Sequence, residues 1–149
     1  MPNRARLMEA IPEPAGVLPT LVRTYVAALS GFEKQTGVHL ARWRILDVLR
    51  RHGEMPQHEL NRHTLIDPAA ISRILRDFVG SGDVARRADP VDHRQSLVSL
   101  TAQGMARTRQ IAVARERFVA VATEGIDPDD LARVESTLGA LRANLDRLR

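Results

Sequence analysis

The chain has 149 residues, 44% apolar and 3% aromatic, enough for one core plus an oligomerisation element, and its Leu, Val and Ala bias favours helix-on-helix packing. The absence of cysteine excludes disulfides, thiolate metal sites and thiol redox switches. No apolar run approaches the roughly 20 residues of a membrane span and Met1–Glu13 lacks a signal core, so no membrane is expected and the expected compartment is the cytoplasm. The net charge of +4, carried almost entirely by arginine, permits nucleic-acid binding without proving it.

Met1 to Val17 holds three prolines and reads as an arm or a short leading helix. Around and after Pro19, Leu18, Val22, Tyr25, Leu29 and Phe32 recur at helical spacing until Gly37, which predicts a first helix. Trp43, Ile45, Leu46 and Leu49 predict a short second helix to Arg51, ended by Gly53, and Gly53–Pro56 reads as a loop. Leu60 anchors a short third helix over Gln57–His63. Asp67-Pro68 then supplies a cap and a residue pre-set for the first helical position, and Ile71, Ile74, Leu75 and Phe78 carry a fourth helix to Gly80-Ser81-Gly82. Short helix, turn, helix of this size is the helix-turn-helix pattern.

Val84–Arg87 and Ser96–Leu100 flank the polar, turn-rich Asp89-Pro90-Val91-Asp92-His93-Arg94, which predicts a β-hairpin with a charged loop, a wing. Thr101 is placed to cap a long helix to about Thr123, and Asp127-Pro128 opens a last one. Along it Leu131, Val134, Leu138, Leu141, Leu145 and Leu148 alternate steps of three and four. A small chain cannot easily cover such a seam by itself, so a partner subunit is the simple solution; packing on the first or fifth helix of the same chain is the alternative. The expected fold is mainly α with a small β-hairpin wing: an N-terminal arm and dimerisation helix (1–37), a winged helix-turn-helix domain (38–101), and C-terminal dimerisation helices (102–149).

The fourth helix puts Pro68, Ala69, Ala70, Ser72, Arg73 and Arg76 at its N-terminus and outer surface. Small residues let a backbone approach base edges, Ser72 and the arginines can bond to bases or phosphates, and a helix N-terminus favours phosphate. In an isolated helix the same arginines would be merely solvated; the wing that follows argues otherwise. At the wing, Arg94 with its neighbour His93 lies where a hairpin tip reaches a minor groove, and Asp92 could orient the guanidinium, although an inconsequential surface ion pair has the same spacing.

Trp43-Arg44-Ile45-Leu46, Glu59-Leu60, Ile71-Ser72-Arg73, Gly82 followed by Val84, Asp89 to Arg94, and Leu100-Thr101 with Gly104 resemble, without a gap, the MarR family of bacterial transcription regulators. The resemblance implies a two-fold, triangular dimer with the first, fifth and sixth helices at its apex. It further implies a recognition helix, Asp67 to Gly80, in each major groove, with each Arg94 at the adjacent minor groove. The operator would then be a pseudo-palindrome with half-sites about one helical turn apart. Three positions depart from the family pattern: Thr64 and Asp83 stand where Leu is usual, and Asn61 where Ala is usual. An Asp after Gly82 is not expected to be buried unpaired, because desolvating its charge is costly, and the turn before the wing is expected to differ locally.

Family members commonly release DNA when a small aromatic or phenolic anion binds between the dimerisation and DNA-binding parts. Candidate anchors are Arg23, His39 and His58, each of which is as readily explained as a surface or capping group. Of the five histidines only His58 and His63 lie near each other, on no clean helical face, so no metal site is expected. No phosphate loop, nucleophile elbow or HExxH appears; neither an enzyme nor a bound cofactor is implied. The expectation is a repressor of double-stranded DNA, homodimeric and released by an aromatic acid or phenol. A winged-helix architectural or partner-binding protein, and a small-molecule binder that has lost DNA contact, are the alternatives.

Overall fold

A computed structural model describes residues 16–64 and 66–148. The leading-arm reading of Met1 to Val17 therefore lies, up to residue 15, outside the described residues. The chain divides between Phe118 and Val119 into two compact units.

The first unit begins with α1 (Val17–Thr36), which stops at Gly37, where φ of +69° favours glycine and the N–H closes on Glu33 O. Phe32 is its buried anchor and meets Phe118 edge-to-face at 5.9 Å. Helix α2 (Leu40–His52) buries Trp43, Ile45, Leu46 and Leu49. It starts three residues before the first core position because its opening turn carries only the half-buried Leu40, Ala41 and Arg42.

Met55–Pro56, expected as loop, forms a two-residue strand, β1. Two residues hold no periodicity to read; their pairing with a distant strand defines them. Helix α3 (Gln57–Thr64) follows, with Leu60 fully buried. Thr64, in a position suited to Leu, is also buried, and its hydroxyl donates to Leu60 O at 2.6 Å, so burial leaves no polar atom stranded.

Helix α4 (Pro68–Gly80) buries Ile71, Leu75 and Phe78, the stripe expected of its sequence. Strands β2 (Val84–Ala88) and β3 (Ser96–Leu100) pair antiparallel from Val84 opposite Leu100 to Ala88 opposite Ser96. Met55 opposite Val98 adds β1 to the other edge of β3, giving the order β1-β3-β2. Pro56 is tolerated there because an edge strand can spare a donor. Val98, on the central strand, has no exposed surface.

Thr101 caps α5 (Ala102–Ala122), its hydroxyl accepting from Gly104 N at 3.0 Å. Gly104, Thr108 and Ile111 form the buried face of α5 in the first unit. The second unit holds the end of α5 and α6 (Pro128–Asp146), whose first turn is capped by Asp127 accepting from Asp129 N at 2.7 Å. No residue of α6 is buried in the single chain: Val134, Leu138 and Leu145 on its apolar seam are all exposed. Among the described residues no helix is long and apolar enough to cross a membrane.

Candidate nucleic-acid interface

Helix α4 begins at Asp67, whose Oδ1 accepts from Ala69 N at 3.0 Å and Ala70 N at 3.1 Å, while Pro68 occupies the first turn. The cap holds the helix start in one conformation and leaves Pro68 and Ala69 at the surface. It also corrects the expectation that this N-terminus itself favours phosphate. Pro68 has no N–H, Ala69 and Ala70 donate to Asp67, and Ile71 N bonds Asp67 O at 3.0 Å, so the first-turn donors are absent or engaged.

Ser72 is half-buried and its hydroxyl accepts from Gln57 Nε2 at 2.9 Å, which ties α4 to the start of α3. Arg73 and Arg76 are exposed, and neither guanidinium makes an ion pair with a described residue. Arg42 behaves differently: it pairs with Asp77 at 2.8 Å and lies 4.5 Å above the Phe78 ring, bracing the outer end of α4 against α2.

The wing loop is built by two aspartates. Asp89 Oδ1 accepts from Val91 N at 2.8 Å, and Asp92 accepts from Arg94 N at 3.1 Å and Gln95 Nε2 at 2.8 Å. Hydrogen bonds from Gln95 and from the Arg94 N–H hold the Asp92 carboxyl below its ordinary pKa, so it stays ionised. Asp92 thus does not hold the Arg94 guanidinium, as its spacing suggested. A side chain two residues upstream in a turn reaches the backbone amide first. It shapes the loop that carries Arg94, leaving the guanidinium exposed beside the exposed His93. In the strand that leads into the loop, the penultimate residue Arg87 pairs with Glu54 and anchors β2 to the turn after α2.

Between α3, α4 and the wing lies a concave groove of about 330 Å³ lined by Gln57, His58, Pro68, Ser72, Arg86 and Arg94, among others. It unites three residues singled out for DNA contact, Pro68, Ser72 and Arg94, with one singled out for an effector, His58. Gln57 and Arg86 were not singled out. Arg86 shares a strand face with Val84, which period-two reading could have found; Gln57 is recruited by contact with Ser72, fifteen residues away, which no local pattern encodes. Gln57 Oε1 is buried without a hydrogen-bond partner among the described residues. Arg23 and His39 do not line the groove: Arg23 is exposed on α1, and His39, before α2, has Nδ1 2.9 Å from Glu33 Oε1. His52 and His63 stack with ring centroids 4.6 Å apart, but no group of three or more metal-ligating side chains gathers among the described residues.

A short helix, a capped second helix with exposed arginines and an arginine-tipped wing define a winged helix-turn-helix module. The MarR family model matches residues 36–95. An uncharacterized HTH-type transcriptional regulator of Bacillus subtilis, YdgJ, is 31% identical over 117 residues, 78% of this chain and 71% of its own. The chain belongs to the MarR family. Its fold matches that of a MarR variant from E. coli complexed with operator DNA (TM-score 0.77, 23% identity, 83% of this chain and 92% of that one). It also matches Bordetella bronchiseptica BpsR, whose DNA binding is regulated by 6-hydroxynicotinic acid (TM-score 0.76, 22% identity, 83% and 96%). Family membership makes the chain a DNA-binding transcriptional regulator rather than an enzyme.

Proposed function

We propose that the chain is a cytoplasmic, homodimeric repressor that binds a pseudo-palindromic operator and is released by a small aromatic acid or phenol. In this reading residues 38–101 bind DNA, and residues 1–37 and 102–149 contribute the dimer contacts. The observation that carries it is the shared groove: Ser72 of the candidate recognition helix and Arg94 of the wing line one concavity, with Arg73 and Arg76 exposed on the same helix. Ala69, Ala70 and Ser72 allow close approach to base edges, Arg73 and Arg76 supply phosphate or guanine contacts, and Arg94, beside His93 and on a loop shaped by Asp92, reaches the minor groove. Dimerisation is supported by the uncovered seam of α6.

Selection of duplexes from a random library, followed by titration at two salt concentrations, tests the reading. One preferred palindrome is the expected result, with Arg94→Ala weakening binding by roughly 1–3 kcal/mol. Equal affinity for all duplexes, falling steeply with salt, would identify an architectural protein instead. For the effector, BpsR provides the chemical class; Arg86 and Arg94 supply cations, and His58 with Gln57 Oε1, which has no partner among the described residues, supplies hydrogen-bonding groups, a set suited to a carboxylate and a hydroxyl. A thermal-shift screen of aromatic acids and phenols should return hits of one class that also release the selected duplex. Transcription from a promoter bearing that duplex should fall on adding the protein, whereas an activator would raise it.

A further inference from the structure

Between α4 and β2 the chain buries an ionisable side chain that the DNA-contacting surface does not use. Asp83 has no exposed surface. Its Oδ2 accepts from Ser81 Oγ at 2.8 Å and from Arg107 Nη1 at 2.6 Å, and its Oδ1 from Gln103 Nε2 at 3.4 Å. Its backbone is tied as well, with Asp83 N donating to Phe78 O at 2.9 Å and Thr101 N donating to Asp83 O at 3.1 Å. Gln103 Nε2 also donates to Ser81 O at 2.7 Å, and Thr101 Oγ1 to Gly82 O at 2.6 Å. The hydrogen-bonded groups come from the C-terminal end of α4, the three-residue turn into the wing, and the first two turns of α5.

We propose that Asp83 and Arg107 are positioning residues that lock the recognition helix and wing to α5, and so set how strictly the regulator discriminates half-site spacing. A buried ion pair fixes geometry more than it adds net stability. Exchanging one for well-packed apolar residues is often neutral or stabilising, so net stability is a poor reason for its presence. Directional bonds restrict orientation where apolar contacts permit sliding. Asp83 stands at the one turn through which the wing follows the recognition helix. Arg107 is 44% exposed, so its charge is partly solvated, while the carboxylate it holds has no contact with water. Burial raises the Asp83 pKa, and the Ser81, Arg107 and Gln103 hydrogen bonds with the Arg107 charge outweigh it, leaving the group below its ordinary value and ionised.

The spacing test rests on the operator reading; a second measurement does not. The probe is the duplex selected by the wild-type protein, alone and with one or two base pairs inserted at its centre, each turning the half-sites by roughly a tenth of a helical turn. The wild type should bind the inserted duplexes about tenfold more weakly. In Asp83→Leu and Arg107→Met that ratio should shrink about threefold or more, with the melting temperature of the double variant, which removes both charges together, equal to or above the wild type's. Arg107→Lys should recover part of the discrimination. Unchanged ratios in both variants, or losses that follow melting temperature, overturn the lock.

Independently, spin labels at Ala88→Cys and Arg117→Cys, clean because the chain has no native cysteine, report the distance from wing to α5. Doubly labelled chains are diluted into unlabelled protein to isolate the distance within one chain. The distribution should broaden about twofold in either variant; an unchanged width refutes the lock. A wild-type protein that selects no duplex refutes the operator reading alone, and the label widths then decide the lock.

Discussion

Gly104→Ala tests how closely α5 is packed on the turn before the wing. A Cβ on Gly104 would lie 1.9 Å from Asp83 O and 2.8 Å from Asp83 C. Both are backbone atoms, so no side chain can swing aside, and the surfaces must part by roughly 1.5 Å to regain ordinary contact. Thr101 N and Thr101 Oγ1 hold Asp83 O at 3.1 and 3.2 Å, so the parting strains two hydrogen bonds. Overpacking of this kind costs about 1–3 kcal/mol and a weakened bond about 1 kcal/mol more, against a gain of about 1 kcal/mol from the better helix former. The net is a loss of roughly 1–3 kcal/mol, or a melting temperature lower by roughly 2–12 °C. Calorimetry and urea unfolding read it. Gly80→Ala, where nothing lies within 4 Å, is the control and should be neutral or mildly stabilising. A Gly104→Ala protein as stable as wild type would show that α5 does not approach the turn as described.

Asp67→Ala removes the acceptor for two amides of α4 and should cost about 1 kcal/mol in urea unfolding, whereas Asp67→Ser should recover most of it. Leu138→Glu with Leu145→Glu should convert a dimer to monomers in sedimentation without loss of helicity, because both side chains are already exposed in the single chain; a dimer that survives would move the interface off α6. Because the folded state holds the Asp83 carboxyl below its ordinary pKa, its contribution is present above about pH 4 and disappears as pH falls through the depressed folded value. Asp83→Asn should therefore be less stable than wild type at neutral pH, with the gap closing on acidification; a gap constant with pH would mean that the carboxylate's charge is immaterial.

The long periodic elements were readable from sequence because one face of each pays for burial in apolar residues: Ile71, Leu75 and Phe78 give α4 its register without reference to anything else. Asp67, Thr101 and Asp127 were readable for a related reason, since a cap bonds only to its own first turn. Features made by contact at a distance were not. Strand β1 exists because Met55 meets Val98, and Ser72 has its orientation because Gln57 reaches it. Asp83 shows the boundary between the two cases. Its charge argued against unpaired burial, but that the pairing comes from Arg107 on the next long helix is a property of the folded chain. Of the candidate interface, Pro68, Ser72 and Arg94 were recognisable and are brought together, whereas Arg86 and Gln57 complete the groove unannounced.

The self-satisfied start of α4 has a consequence for how such a protein travels along DNA. With its leading amides absent or already bonded to Asp67, the helix brings no rigid backbone cradle to a phosphate. In the proposed DNA-binding role, charge contact would fall to long side chains such as Arg73 and Arg76, each with about 2 kcal/mol of rotamer entropy to surrender on fixing. Off its target those side chains can keep their freedom and follow the duplex loosely, which suits sliding and hopping. In that role their freedom would be given up only where bases and groove shape reward it, so that search and arrest would be carried out by the same few guanidinium groups in two states of order.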